Sequence, residues 1–527
     1  MNIILGATDD GRSWFFASQD FDATGIPDCG KSLLDLANDK QVEKFLSLRI
    51  KREASDDAAE QKVRDDLRVQ FYLLLSKLNG YPEVILDSDV ERLYKKFMAI
   101  EDERKREELL IYINKFYNIF SKYHPKSKFT FNDIPMRSLV LLGAAWQIGT
   151  RKSPAWQGAA DAVGRLLDLR DGDRVIFATE ERQHLIAMLG DGTIYFAETG
   201  INEHAKTSDF IGLWLVDRED IWNIQQSFRG AGIELMDVDS DDREVKYTTR
   251  KVREVEKVLD AAGIIAQHSR SADVSIKGKT PANPLAKQII KNAKVIVYSV
   301  TSLESNMGSA LIVDGVGEAV VGNPAAAKIY LVNPTVENDP SVNGKNPTAL
   351  DMLNRLFRYV SNQQVYETDM LDYSKVDNYI NYIVGIGSQY GYQKDVYELK
   401  RGEEIIPVEF IPFNSEEIRR ATEDRISTVE LDIEMKEPIK KVEKSAVGYK
   451  LKFGLYSPQV IKETILGLWD LQAGRSSAVD DKVFGPKVEV EFFLDNGGSQ
   501  IGMELKVDGK VFEAGTLFVK EEIHDTG

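Results

Sequence analysis

Asp9 and Asp10 are the residues whose type and position point most directly to chemistry. They follow a short apolar run, Asn2–Leu5, within Thr8-Asp-Asp-Gly-Arg-Ser13. A strand therefore empties into two carboxylates with Arg12 and Ser13 beside them. Paired carboxylates can hold a Mg²⁺ that in turn grips phosphate oxygens. The plain alternative is an exposed turn, where Asp-Gly is common, and the residues alone leave the two readings even. A second polar group lies far along the chain. Val295–Tyr298 and Ile329–Val332 have the length and β-branched content of buried parallel strands. Each stops in a small or polar cluster, Ser299–Ser302 and Asn333–Thr335, and a helical stretch from Met307 to Val320 lies between them. That is a βαβ unit with polar residues where the strands end, and open α/β sheets bind ligands at those carboxyl ends.

Other motifs carry less. Gly25-Ile-Pro-Asp-Cys-Gly-Lys-Ser32 fits the phosphate-loop pattern letter for letter. A working phosphate loop follows a buried strand and cradles phosphate on backbone N–H groups. Here Gln19–Thr24 makes a poor strand, Pro27 removes a donor, and Asp28 places negative charge in the cradle. Lys31 is therefore read as a helix residue. Gly315-Val-Gly-Glu-Ala-Val-Val-Gly322 has the wrong spacing for a dinucleotide fingerprint, so its glycines are read as packing devices. The five histidines are scattered and show no metal-helix spacing, and no nucleophile elbow is present.

The chain has 527 residues, 43% hydrophobic and 29% charged, with a net charge of −17. These are the proportions of an ordinary soluble protein large enough for more than one domain. The acidic balance argues against a nucleic-acid surface. No apolar run is long enough to span a membrane, no signal peptide is visible, and one cysteine, Cys29, excludes an internal disulfide framework. Cytoplasm is the expected compartment, and a homodimer is kept open as the assembly. Patterning predicts helices over much of 32–80 and 89–123, at Leu139–Ile148, Trp156–Leu167, Asn283–Ala293 and Val460–Leu471. Strands are expected at 174–178 and at 184–189, the latter in a hairpin through Gly190-Asp-Gly192 to Thr193–Ala197. Residues 237–262 read as polar and peripheral, 395–450 as a charged insertion, and 488–520 as a β-hairpin extension.

Several segments, in order, resemble the CofD-like family, which includes 2-phospho-L-lactate transferase and the gluconeogenesis factors. Thr8-Asp-Asp-Gly-Arg-Ser13 resembles its aspartate loop, and Gly25–Asp28 with the Leu33–Leu36 helix its glycine-aspartate segment. Leu139-Val-Leu-Leu-Gly-Ala-Ala resembles its apolar helix, and Gly190-Asp-Gly-Thr with Glu198 its acidic hairpin. Ser302-Leu303, Ser305 and Gly315–Val320 resemble its glycine-serine-leucine loop and following helix. Lys328–Asn333 with Asp351, and the stretch from Tyr456 to Leu466, resemble later elements. The departures are specific. The family's opening strand and glycine-rich loop would precede residue 1. Ser299-Val300-Thr301 stands for Gly-Pro-Gly, Arg137-Ser138 for a glycine-asparagine turn, and Gly30 for an arginine.

The resemblance implies an α/β, Rossmann-like three-layer fold with a mostly parallel sheet. It would span residues 1–470, with a helical insertion over 32–123, the charged insertion near 395–450 and a C-terminal β extension over 471–527. It also implies a phosphorylated, nucleotide-linked small molecule as ligand and Mg²⁺ as cofactor. As an enzyme, the protein would move a phospho-acyl group from a nucleotide diphosphate donor. Asp9, Asp10 and Asp28 would form the catalytic and metal-holding set. Arg12, Ser13, Ser302, Leu303, Ser305 and Asn333 would bind substrate. The alternative is a non-catalytic nucleotide-sugar-binding regulator or a diverged interaction protein, because fold alone does not choose chemistry and lost glycines restrict close backbone approach to phosphate. A phosphate-loop nucleotide hydrolase through Gly25–Ser32 is a third reading.

Overall fold

The computed structural model describes residues 1–6, 26–50, 52, 57–124, 129, 131–132, 134–151, 153–181, 183–189, 193–196, 210–217, 234–238, 245–248, 280–334, 347–361, 371–386, 396–401, 404–409, 411–431, 442–445, 448–451, 458–474, 488–494, 501–507 and 510–513. A seven-stranded sheet organises the C-terminal half. Its order is Lys510–Glu513, Ile501–Val507, Val488–Leu494, Ser427–Leu431, Tyr382–Ile386, Ala327–Leu331 and Val295–Tyr298. The five strands from 295–298 to 488–494 pair in parallel. The last two are added antiparallel.

The predicted neighbouring pair is present, with Val295 opposite Ala327 and Tyr298 opposite Tyr330. One expectation changes: Val295–Tyr298 ends the sheet order, so three of its four residues are only half-buried, whereas Ala327–Leu331 is buried throughout. Alternation sorts the side chains into two layers. Ala327, Ile329 and Leu331 share a core with Leu468 of helix Pro458–Gly474. Tyr330 faces the other core, with Leu353 and Leu356 of helix Ala349–Ser361. Helix, sheet and helix make the three layers of a Rossmann-like α/β fold.

The 395–450 stretch is not wholly an insertion to the sheet. Residues 396–401 and 404–409 form a separate hairpin, but Ser427–Leu431 is an interior strand. The charge of the stretch hides a strand whose Val429 is fully buried. Residues 237–262, read as peripheral, contribute to strands Glu234–Val238 and Val245–Thr248 of a five-stranded antiparallel sheet. That sheet also contains the predicted hairpin, Ile186 opposite Phe196. Its turn, 190–192, lies outside the described residues.

The N-terminal region is a parallel pair, Asn2–Leu5 with Arg174–Phe177, covered by helices. The span 89–123 is two helices, Ser88–Met98 and Glu103–Tyr123, because Asp102 caps a new start by accepting from the N–H groups of Arg104 and Lys105. Helix Met136–Ile148 is buried at every residue from Ser138 to Trp146, as an all-round apolar helix must be. It lies close to helix Glu103–Tyr123: a Cβ on Gly143 would come within 1.9 Å of the Tyr112 carbonyl oxygen.

Edge polarity follows from hydrogen bonds. The Asn38 and Asp39 N–H groups donate to the Leu167 carbonyl, and the N-terminal amine meets Asp173. The amino edge of the strand pair is therefore where helix Ile26–Asp35 ends, and that helix begins toward the carboxyl edge. At the opposite edge, Ala178, just past its strand, accepts from the Asn283 N–H, at the start of helix Pro284–Asn292.

Candidate functional site

Gly6 ends the described part of the first strand. A Cβ there would come within 2.0 Å of Ser309 Oγ and 3.1 Å of the Asn306 carbonyl oxygen. The carboxyl end of Asn2–Leu5 therefore abuts the chain that follows Val295–Tyr298. The first strand pairs with 174–177, and Val295–Tyr298 pairs with 327–331 at the end of a separate sheet. Ligands of α/β folds sit at the carboxyl ends of such strands.

The segment across this contact from Gly6 is 299–309. It is not the continuous helix predicted from Met307 to Val320. Leu303–Gly308 is a wide π-helical turn, Ser309–Leu311 completes it, and Gly315, at φ +90°, breaks the path before helix Val316–Val321. The left-handed backbone at Gly315 is where glycine carries no steric penalty. Gly317 is a packing glycine, as expected, but against a helix: its Cβ would lie 2.0 Å from the Val360 carbonyl oxygen.

The turn gathers neutral polar groups. Ser305 Oγ donates to Ser302 Oγ at 2.8 Å, and Asn306 Nδ2 donates to Thr301 Oγ1 at 2.9 Å. Asn333 Nδ2 donates to the Thr301 carbonyl at 2.8 Å, tying the end of the next strand to the same turn. Ser309 Oγ donates to the Asn306 carbonyl at 3.0 Å. The turn and the end of the next strand thus bring Ser302, Ser305 and Asn333 together. Leu303 is in the hydrophobic core, 1% exposed, so only its backbone is available to a ligand.

Behind the turn is a buried charge that inspection of the sequence passed over. Glu304 is 1% exposed, and Arg355 Nη1 donates to its Oε1 at 3.1 Å. Burial holds the Glu304 carboxyl above the ordinary carboxylate value, with Arg355 pulling the other way. The available signal was an acid between Leu303 and Ser305 at a strand end. Asp351, carried by the resemblance, has a local role: its carboxylate accepts from the Thr348 N–H and Oγ1 at 2.8 Å, starting helix Ala349–Ser361.

The predicted acidic side chains are not among those described. Asp9, Asp10, Arg12 and Ser13 lie outside the described residues, although their loop leaves the strand at Gly6, beside Ser309. Asp28 is in the first turn of helix Ile26–Asp35, and its side chain is outside the described set. That helix overturns the phosphate-loop reading. Gly30 and Lys31 are helical, Lys31 is exposed, and a Cβ on Gly30 would press on the Arg137 side chain at 2.8 Å. Among the described residues no three acidic, histidine or cysteine side chains form a metal cluster. No described helix is long and apolar enough to cross a membrane.

The family model for 2-phospho-L-lactate transferase CofD matches residues 1–410. No curated protein sequence matches the chain. Two solved structures of protein BH3568 from Bacillus halodurans, described as a member of the UPF0052 family, are similar to it. They share 13% identity, cover 88% of this chain and 91% or 90% of their own, and have TM-scores of 0.46 and 0.45.

Proposed function

The chain belongs to the CofD family, and on that premise we propose that it transfers a phosphorus-containing group, binding a nucleotide diphosphate-linked metabolite at the strand ends beside the junction of Gly6 and the 299–309 turn. The observation that carries this reading is the close approach of Gly6 to Ser309. Gly6, three residues before Asp9, thereby lies against Ser309 and the Asn306 carbonyl, on the turn that carries Ser302 and Ser305.

The division of labour is chemical. Hydroxyls and amides orient phosphate oxygens without neutralising them, so a diphosphate needs a cation as well. Among the described residues the donor set for Mg²⁺ is lacking; Asp9, Asp10 and Asp28 are the oxygen ligands that suit this hard ion. Mg²⁺ would neutralise charge developing on the nucleoside monophosphate that leaves as the diphosphate bridge breaks and the phosphorus-containing group passes to its acceptor. Arg12 and Ser13 would add donors from the same loop. Such transfer requires positioning and charge compensation, with no covalent nucleophile on the protein. The experiment is a thermal-shift screen of ADP, GDP, UDP and CDP, with and without Mg²⁺. Native-state binding raises the melting temperature by mass action. A Mg²⁺-dependent rise supports the reading; no rise with any of the four contradicts it.

The regulator alternative draws on one observation. Ser299-Val300-Thr301 carries side chains in place of Gly-Pro-Gly, and Val300 is 41% exposed at the strand end. A nucleotide that binds but is never consumed in the presence of acceptor pools would favour it.

A further inference from the structure

Glu304 and Arg355 present a problem of cost. A buried ion pair is expensive to desolvate, and apolar residues of similar volume often replace one with equal or greater stability. Its best-attested use is to select one register among competing packings. The turn carrying Glu304 has such a competition. The Ser302 carbonyl accepts from the Asn306 N–H at 3.2 Å, an α-helical bond, and from the Met307 N–H at 3.1 Å, a π-helical bond. Moving between the two registers shifts the following residues by one position, about 100° around the axis.

Three consecutive side chains define the orientation. Leu303 enters the core, Glu304 reaches Arg355 on helix Ala349–Ser361, and Ser305 returns to Ser302. The turn is backed on two sides. A Cβ on Gly308 would meet Leu213 Cδ2 of strand Phe210–Asp217 at 2.8 Å and Tyr359 Cδ2 at 3.3 Å. Packing alone limits translation of the turn. The directional bond at Glu304 limits its rotation.

We propose that the Glu304–Arg355 pair is a register lock: it holds the 303–308 turn in its π-helical setting and so fixes the half-buried Ser302 and Asn306, with Ser305 buried behind them, at the strand end. Both residues are positioning residues, since neither touches ligand on this view. The inference rests on the proposed nucleotide site for its consequence and on the turn's hydrogen bonds for its cause. π-helical turns are frequent at functional sites, and a two-register element is what a charged anchor can bias.

The test uses the full chain with three variants: Glu304→Gln, Arg355→Lys, and the double variant Glu304→Leu/Arg355→Met. Two quantities are read: hydrogen exchange of a peptide covering 299–311, and calorimetric affinity for ADP, GDP, UDP and CDP with Mg²⁺. The double variant should melt within a few degrees of wild type, yet exchange faster across 299–311 and bind at least tenfold more weakly. Arg355→Lys, which keeps the charge, should retain most of the affinity that Glu304→Gln loses. Wild-type exchange and affinity in a stably folded double variant would overturn the lock. If wild type binds none of the four nucleotides, the proposed function falls, while unchanged exchange in the variants would separately dispose of the lock.

Discussion

The helical core and the sheet core of this protein are built from different materials. The helical core is aromatic. Phe71 stacks on Phe131 at 4.3 Å, and the Phe116 and Trp146 rings lie 6.1 Å apart and 2° from parallel. Its ions stay at the rim, where Lys105 joins Asp39 at 2.6 Å and Asp168 at 2.7 Å, and Arg52 joins Asp66 and Asp87. In the other half, the turns and strands around 295–361 hold all three charged side chains that are buried among the described residues, Glu304, Lys328 and Arg355. Lys328 Nζ donates to the Asn378 carbonyl, and burial pushes its ammonium below the ordinary lysine value. Lys328 stands near the amino end of its strand, whereas Glu304 and Arg355 stand behind the 303–308 turn. Buried charge is costly, so the pair behind the turn marks where geometry matters more than stability. The helical core supplies stability and the sheet core supplies orientation.

The sharpest way to separate the two is Phe116→Ala. Removing a ring packed on Trp146, Phe120 and Phe131 should cost about 3–5 kcal/mol in denaturant unfolding. Nucleotide affinity below the lowered melting temperature should be unchanged; weakened affinity would erase the distinction. Gly6→Ala should do the reverse. Its methyl would collide with Ser309, costing about 1–3 kcal/mol as overpacking, and nucleotide affinity should drop at least tenfold by calorimetry. A variant that binds like wild type would move the site elsewhere.

At the rim, Lys105→Met should cost about 1 kcal/mol, the upper range for an exposed pair. Burial opposes the Asp39 charge, but Lys105 and the N–H groups of Val42 and Gln41 outweigh it, holding the carboxyl below its ordinary 3.8. A depressed carboxylate contributes stability above its unfolded value and loses it as pH falls through the folded one. The difference between wild type and variant should therefore be full at neutral pH and shrink on acidification below 3.8. A pH-independent difference would mean that lost stem packing, not charge, is responsible. The smallest effect is expected from Lys31→Ala, because Lys31 is exposed on a helix. Nucleotide affinity should stay within a few-fold, and a hundredfold loss, about 2.7 kcal/mol, would revive the phosphate-loop reading.

Parts of this arrangement were legible in the sequence for physical reasons. Val295–Tyr298 and Ala327–Leu331 are short apolar runs ending in polar residues, and period and length suffice to pair them. Helix Met136–Ile148 was readable because it is apolar on every face. The false phosphate loop was readable from Pro27 and Asp28. Ser427–Leu431 was hidden: its charged flanks masked a buried strand, since local charge says little about a neighbour far away in sequence. The π-helical turn was hidden as well, because α and π settings have nearly the same composition. Glu304 was passed over because a buried acid looks like any surface acid until Arg355, 51 residues later, is placed against it. Asp9, Asp10 and Asp28 remain assigned from the sequence and the family.

Asp10→Asn tests the central claim most directly. The change removes a ligand charge and almost no volume, so far-UV circular dichroism and melting temperature should match wild type. Calorimetric titration of the best of ADP, GDP, UDP and CDP should then show Mg²⁺-dependent binding in wild type and none in the variant. Equal Mg²⁺-dependent affinity in the two proteins would reduce the Asp9–Asp10 loop to a surface turn and contradict the account of these strand ends as a metal-assisted diphosphate site.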